Sequence, residues 1–136
     1  MPRDSLPATI AIAMLASLGA VPVSVSAQST HGPDAGKALF ESKCVACHSL
    51  DASRVGPLLR GVVGRKVASV ARYEYSDALK GVKGRWDSRR LEMWLQDPQS
   101  VAPGAKMAFS LPSRTERSAV IQYLAATSAP MGAVKP

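Results

Sequence analysis

Cys44-Val45-Ala46-Cys47-His48 is the stretch on which this chain turns. Its cysteines are the only two among 136 residues, and a histidine follows the second directly. C-x-x-C-H is the pattern of a c-type haem attachment site. Each thiol adds to one vinyl group as a thioether, and the adjacent imidazole is held under the macrocycle, where it can ligate iron. One turn of helix supplies that geometry. Three other uses of the same residues compete. A thioredoxin-like redox pair wants a βαβ pattern around the motif, and the flanking sequence has none. A structural zinc site takes four ligands. Cys44, Cys47 and His48 give three, and the other histidine, His31, lies near the start of the mature chain. A plain short-loop disulfide stays open.

The length allows one domain. Before the motif, Ser5 to Thr30 carries no charge, follows a short basic start at Arg3, and contains the apolar stretch Ala8 to Ala20. Val25-Ser26-Ala27 places small residues where a signal peptidase cuts. Residues 1–27 are therefore read as a secretory signal, 28–33 as a short extension, 34–127 as the domain and 128–136 as a frayed tail. An uncleaved anchor is the alternative, since the run is long enough to span a bilayer. Pro7 and Pro22 interrupt that run, and Ser24, Ser26, Gln28 and Ser29 dilute its end. Cleavage implies a periplasmic protein with no stable membrane insertion.

Losing the signal removes one basic residue, Arg3, and one acidic residue, Asp4, so the net charge stays at +7. That balance suits an acidic partner, an anionic membrane or nucleic acid. Export and the lack of a basic motif interleaved with aromatics argue against nucleic acid. A domain this small buries a modest share of its surface, and a large apolar cofactor at its centre would supply missing core.

The pattern along the chain is helical, without strand alternation. Asp34 is a candidate N-cap for a helix from Ala35 to about Cys47. Gly36 inside it suggests the close approach of another backbone. Ser49 to Lys66 is a loop region marked by Gly56-Pro57 and Gly61 to Gly64. Ser76 to Lys80 gives one short helical turn stopped by Gly81. Asp87 or Ser88 caps a helix carrying Leu91, Trp94 and Leu95, which Pro98 ends. Val101 to Leu111 reads as a loop. Ser113-Arg114-Thr115-Glu116 is a capping box opening a helix with Ala119, Val120, Tyr123 and Leu124 on one face, ending near Thr127. The expected fold is all-α, with three main helices, short helical turns and long loops. Such loops are unusual in an ordinary helical domain and make sense wrapped around a single haem c.

A haem held by one histidine needs a second axial ligand or leaves iron open. Met1 and Met14 leave with the signal, Met131 lies in the tail, and Met93 sits mid-helix where packing explains it. Met107 lies in Pro103-Gly104-Ala105-Lys106-Met107-Ala108-Phe109, a loop able to lay a thioether against the ring.

From Gly36 to Leu124 the chain resembles the class I cytochromes c of the mitochondrial and bacterial c2 type. The resemblance rests on Gly36-Lys37-Ala38-Leu39-Phe40, on Lys43-Cys44, and on the loop Gly56-Pro57-Leu58-Leu59-Arg60-Gly61-Val62-Val63-Gly64-Arg65-Lys66. It continues through Tyr75-Ser76-Asp77-Ala78, Trp86, Leu91, Leu95, Pro98 and Tyr123-Leu124. It implies His48 as proximal and Met107 as distal ligand, with the Pro57 carbonyl accepting from the other nitrogen of His48. It assigns Arg65, Tyr75 and Trp86 to the haem propionates, and has Gly36 meet Tyr123 where first and last helices cross. Three departures stand out. Trp94 replaces a usual tyrosine near the methionine sulfur, Leu79 an asparagine and Ala105 a threonine. Together they are expected to strip hydrogen bonds from the methionine side and weaken the iron–sulfur bond. The segment between His48 and Pro57 is also shorter than in the mitochondrial proteins.

The function so implied is a soluble periplasmic carrier of single electrons, monomeric and not an enzyme. Lys37, Lys43, Lys80, Lys83, Arg85 and Lys106 are candidate contacts to redox partners with acidic docking surfaces. Two alternatives remain: a haem subunit of a larger periplasmic oxidoreductase, and a haem peroxidase or gas-binding protein with a labile methionine.

Overall fold

Gly32 and Pro33 start the first helix. Gly32 adopts φ 103° and is the residue before the first turn. Pro33 occupies the first helical position, where its fixed φ suits the helix and its missing N–H costs no bond. The computed structural model describes residues 32–128. The expected signal (1–27), most of the extension (28–31) and the tail beyond Ser128 lie outside the described residues. α1 spans Pro33–Leu39. Asp34 is not its cap, contrary to expectation. Pro33 moves the helix start two residues earlier, from Ala35, and Asp34 stands in the first turn, where a negative charge complements the helix dipole.

The single long helix expected to reach Cys47 is also divided. A π-helical turn, Phe40–Cys44, follows α1, with the Val45 amide bonding the Phe40 carbonyl at 3.2 Å. The attachment motif then closes on itself. The amides of Cys47 and His48 both bond the Cys44 carbonyl, at 3.1 and 2.8 Å.

Three short polar side chains set the later helices. Ser76 accepts from the Leu79 amide and opens α2, Asp77–Gly81. Asp87 accepts from the Arg90 amide and opens α3, Ser88–Gln96. Ser113 accepts from the Glu116 amide and opens α5, Arg114–Ala126. Between the last two lies α4, Pro98–Val101, capped by Asp97, between the expected end of the preceding helix at Pro98 and the loop expected from Val101, where no helix was expected. Pro98 therefore ends α3 and starts α4.

α1 crosses α5 at Gly36. A Cβ placed there would run into the Ala119 carbonyl oxygen and lie 2.7 Å from Tyr123 Cβ, so the predicted meeting of Gly36 and Tyr123 is present. α3 packs on α5, and the core gathers Phe40, Leu91, Trp94, Leu95, Val120 and Leu124. The described residues contain no strand, only an isolated antiparallel bridge between Lys66 and Arg85. That bridge fastens the loop of residues 49–66 to the entry of α3 and pins Trp86, whose backbone exchanges bonds with Gly64 and Arg65 at 2.7 and 2.8 Å.

Sequence reasoning passed over one buried charge. Arg117 is 5% exposed. Its Nε donates to Glu92 Oε1 at 2.8 Å, and its Nη1 donates to the carbonyls of Leu111 and Pro112 at 2.7 and 2.6 Å. It ties the end of the methionine-bearing loop to α3 and α5.

Candidate haem site

Helices and loops enclose a cavity of about 480 Å³. All eight residues singled out from sequence line it: Cys44, Cys47, His48, Pro57, Arg65, Tyr75, Trp86 and Met107. Leu59, Val62, Leu79, Leu91, Leu95, Val120 and Leu124 supply apolar wall. Lys43, Val55, Lys106 and Phe109 also line it and are exposed, Val55 at 75% and Phe109 at 43%.

The histidine side is built from one short run of backbone. His48 Nδ1 lies 2.8 Å from the Pro57 carbonyl. A carbonyl can only accept, so Nδ1 carries the proton and Nε2 keeps its lone pair. Burial lowers the His48 pKa, partly opposed by the Pro57 carbonyl, which favours the neutral imidazole. Gly56 lies flat on the ring. A Cβ there would fall 2.6 Å from Nδ1, while its amide bonds the Cys47 carbonyl at 2.8 Å. Both cysteines are free thiols, Cys44 half-buried and Cys47 exposed. Burial, with Cys47 beside it, pushes Cys44 up to about 11. Among the described residues no three His, Cys, Asp or Glu side chains group as a metal site, so nothing there supports structural zinc.

The methionine side is built from side chains reaching in from other elements. Trp94, 7% exposed, donates its indole N–H to Met107 Sδ at 3.2 Å. This corrects the expectation that the departures strip hydrogen bonds from this side. Leu79 and Ala105 bring no polar group, but the tryptophan replaces a hydroxyl donor with an N–H donor. Its ring sits edge-on to Trp86, centroids 5.3 Å apart, which fixes the direction of that N–H. Gln99 of α4, also passed over in the sequence, bonds the loop backbone at Gly104, Ala105 and Met107. Lys106 Nζ donates to the Glu74 carbonyl at 2.6 Å.

Arg65 is half-buried and lines the cavity. Its hydrogen bonds among the described residues go to the carbonyls of Arg60 and Leu58, at 3.1 and 2.7 Å, so its charge is not cancelled. Burial lowers its pKa, as for a cation short of a counter-charge. The Tyr75 hydroxyl accepts from the Val70 amide at 3.2 Å and keeps its own proton to donate. An apolar chamber with a neutral imidazole, a thioether, two free thiols, an uncompensated guanidinium and a phenol suits one group well. It fits a flat apolar macrocycle that carries carboxylates and an iron, tethered through its edge.

Comparison with known proteins agrees. The family model described as Cytochrome c matches residues 33–128. The chain is 44% identical over 92 residues to the cytochrome c-type cyt cy of Rhodobacter capsulatus, covering 66% of this chain and 46% of that protein. It is 40% identical over 92 residues to cytochrome c of Tetrahymena pyriformis, covering 66% of this chain and 84% of that one. Thus it spans about half of the first relative and most of the second. Among solved structures it is similar to cytochrome cH from Methylobacterium extorquens, with 38% identity and a TM-score of 0.67 over 70% of this chain and 98% of that one. With fold, cavity and sequence in agreement, the chain belongs to the class I cytochromes c, electron carriers with one covalently bound haem c.

Proposed function

We propose that this protein is an exported, monomeric carrier of single electrons in the periplasm, with His48 and Met107 as the axial ligands of its haem. One observation carries the reading. An imidazole donating its Nδ1 proton to the Pro57 carbonyl and a thioether held by the Trp94 N–H line the same apolar cavity. The bound haem supplies a one-electron iron couple; the chain does the rest. Cys44 and Cys47 tether the group. Pro57 fixes the His48 tautomer, a partner contact that raises ligand basicity and orients the ring. Arg65, Tyr75 and Trp86 receive the propionates. His48 and Met107 would both ligate the iron, a pair that raises the potential of a haem and would leave no site for substrate. The Trp94 bond opposes a labile methionine and so weighs against the gas-binding alternative.

Partner docking follows from charge. A net charge of +7 steers the protein onto acidic surfaces. Of the candidate contacts, Lys37 and Lys80 are engaged with Glu41 and Asp77, while Lys43 and Lys106 line the cavity beside exposed Val55 and Phe109. Lys43 is the stronger candidate, since the Lys106 ammonium is already bonded to the Glu74 carbonyl. Salt should slow transfer to an acidic partner, because exposed charges are screened over about 10 Å at 0.1 M. Export rests on the signal-like residues 1–27, and no described helix is long and apolar enough to cross a membrane.

The deciding measurement is a visible spectrum of the mature protein, oxidised, then reduced, with carbon monoxide added last. A weak sulfur-to-iron band at the red end of the oxidised spectrum and no response to carbon monoxide are expected. A rapid carbon monoxide shift would overturn Met107 as a stable ligand. No haem spectrum, from a host that matures c-type cytochromes, would overturn the whole reading.

A further inference from the structure

The structure assigns Gln99 as a positioning residue for Met107. Gln99 lies in α4 and is exposed, so its amide does not serve the core. Yet every hydrogen-bonding group of that amide is spent on one loop. The Gly104 amide donates to Oε1 at 3.0 Å. Nε2 donates to the Ala105 carbonyl at 3.0 Å and to the Met107 carbonyl at 3.0 Å. The orientation of the amide is not arbitrary. Reversing it would set an N–H against the Gly104 N–H and an oxygen against two carbonyls.

Gln99 is itself anchored. Its backbone N–H donates to Asp97 Oδ1 at 3.0 Å, where Asp97 caps the helix that Pro98 starts. The clamp therefore runs from the end of α3, through a rigid turn and one side chain, to the backbone of the methionine. Gly104 turns with φ +90°, a conformation that lets the loop fold back over the Gln99 amide. Trp94 holds the Met107 sulfur from within the cavity, and Gln99 holds the Met107 backbone from outside. Leu79 and Ala105 offer no polar side chain to the loop, so Trp94 and Gln99 supply the hydrogen bonds made to Met107 itself.

This inference rests on Met107 being the distal ligand. Losing these three exposed hydrogen bonds should raise the equilibrium constant for imidazole displacing the methionine roughly 10- to 100-fold. The experiment titrates imidazole into the oxidised holoprotein and follows loss of the sulfur-to-iron band, for wild type, Gln99→Ala and Gln99→Glu, with Gln96→Ala as control. Gln99→Ala should show the full increase and Gln96→Ala none. Gln99→Glu should be as weak as Gln99→Ala at neutral pH, where its carboxylate faces two carbonyls. At equal concentrations of unprotonated imidazole, it should recover relative to Gln99→Ala as the pH falls and the carboxyl regains a proton to donate, a difference that lost packing would not produce. Gln99→Ala within twofold of wild type would overturn the assignment. Amide exchange at Gly104 separates this from failure of the ligand reading. If wild type lacks the band, the ligand reading fails. Faster Gly104 exchange in Gln99→Ala then still supports the clamp, and unchanged exchange overturns it.

Discussion

Gly36→Ala tests the crossing on which the fold is hung. A Cβ at Gly36 meets the carbonyl oxygen of Ala119 and lies 2.7 Å from both its carbonyl carbon and Tyr123 Cβ. These are backbone atoms and a Cβ of α5, none of which can rotate aside. Carbon atoms sit comfortably at about 3.5–4.0 Å, so α1 must retreat by about 1 Å. A gap of that size forfeits up to about half of each dispersion contact along the interface. The contact at stake includes the Phe40–Tyr123 ring pair, 5.5 Å between centroids. Overpacking of this kind costs about 1–3 kcal/mol, to which the lost contact adds. The better helix propensity of alanine returns just under 1 kcal/mol. The expected net loss is about 2–3 kcal/mol, read as a lower guanidinium midpoint at unchanged slope in the holoprotein. Gly81→Ala is the matched control, because a Cβ at that last residue of α2 meets nothing within 4 Å. It should leave stability unchanged or slightly raised. A Gly36→Ala protein within about 0.5 kcal/mol of wild type, inside the range of neutral surface substitutions, would refute the close-approach argument.

Three further outcomes follow from other contacts. Trp94→Phe keeps most of the ring and removes the N–H from Met107 Sδ. A donor near the sulfur favours the less positive iron, so the reduction potential should fall. A bond of about 0.5–1 kcal/mol converts to about 20–45 mV at 59 mV per tenfold for one electron, measurable by voltammetry. Arg117→Met preserves the stem but strands Glu92 and the carbonyls of Leu111 and Pro112; about 2–3 kcal/mol should be lost in chemical denaturation. Arg72→Gly should stabilise, because Arg72 holds φ 61°. Relieving the left-handed strain gains about 1–2 kcal/mol, less the flexibility cost of glycine, leaving a small rise in midpoint.

What the sequence made legible was local. The motif from Cys44 to His48, the short turn from Ser76, the caps Asp87 and Ser113, and the break at Pro98 depend on neighbours a few residues away, and each formed where its chemistry called for it. The misreadings had equally local causes. Asp34 was the better cap by residue type, but Pro33 outranked it by fixing φ one position earlier. The π-helical turn over Phe40–Cys44 escaped because apolar spacing does not separate it from an α-helical turn. α4 is too short to show a period. The contacts that hold the methionine were the hardest to see. Trp94 and Met107 are thirteen residues apart, and nothing in the sequence says which way an indole N–H points. Gln99 and Arg117 looked like surface polar residues, because their partners are backbone groups and distant side chains.

The two axial sides of the site are therefore made in different ways, with a consequence for where it yields. His48 is held by Pro57 and Gly56, nine and eight residues away, within one loop that bonds itself through the amides of Gly56, Leu59 and Arg60. Nothing short of unfolding that loop moves the imidazole. Met107 depends on α3 through Trp94, on α4 through Gln99 and on the loop at Glu74 through Lys106. Beyond it, Arg117 ties down the loop's far end. The ties through Gln99 and Lys106 are exposed side chains that can let go while the core formed by Leu91, Trp94, Leu95, Val120 and Leu124 stays packed. Local openings draw on such sparsely buried, side-chain-held segments before they draw on packed helices. Ligand exchange in this protein should therefore begin at the methionine. Substitutions in α3 or α4 should change the sulfur–iron bond while leaving the imidazole and the thioether attachment as they are.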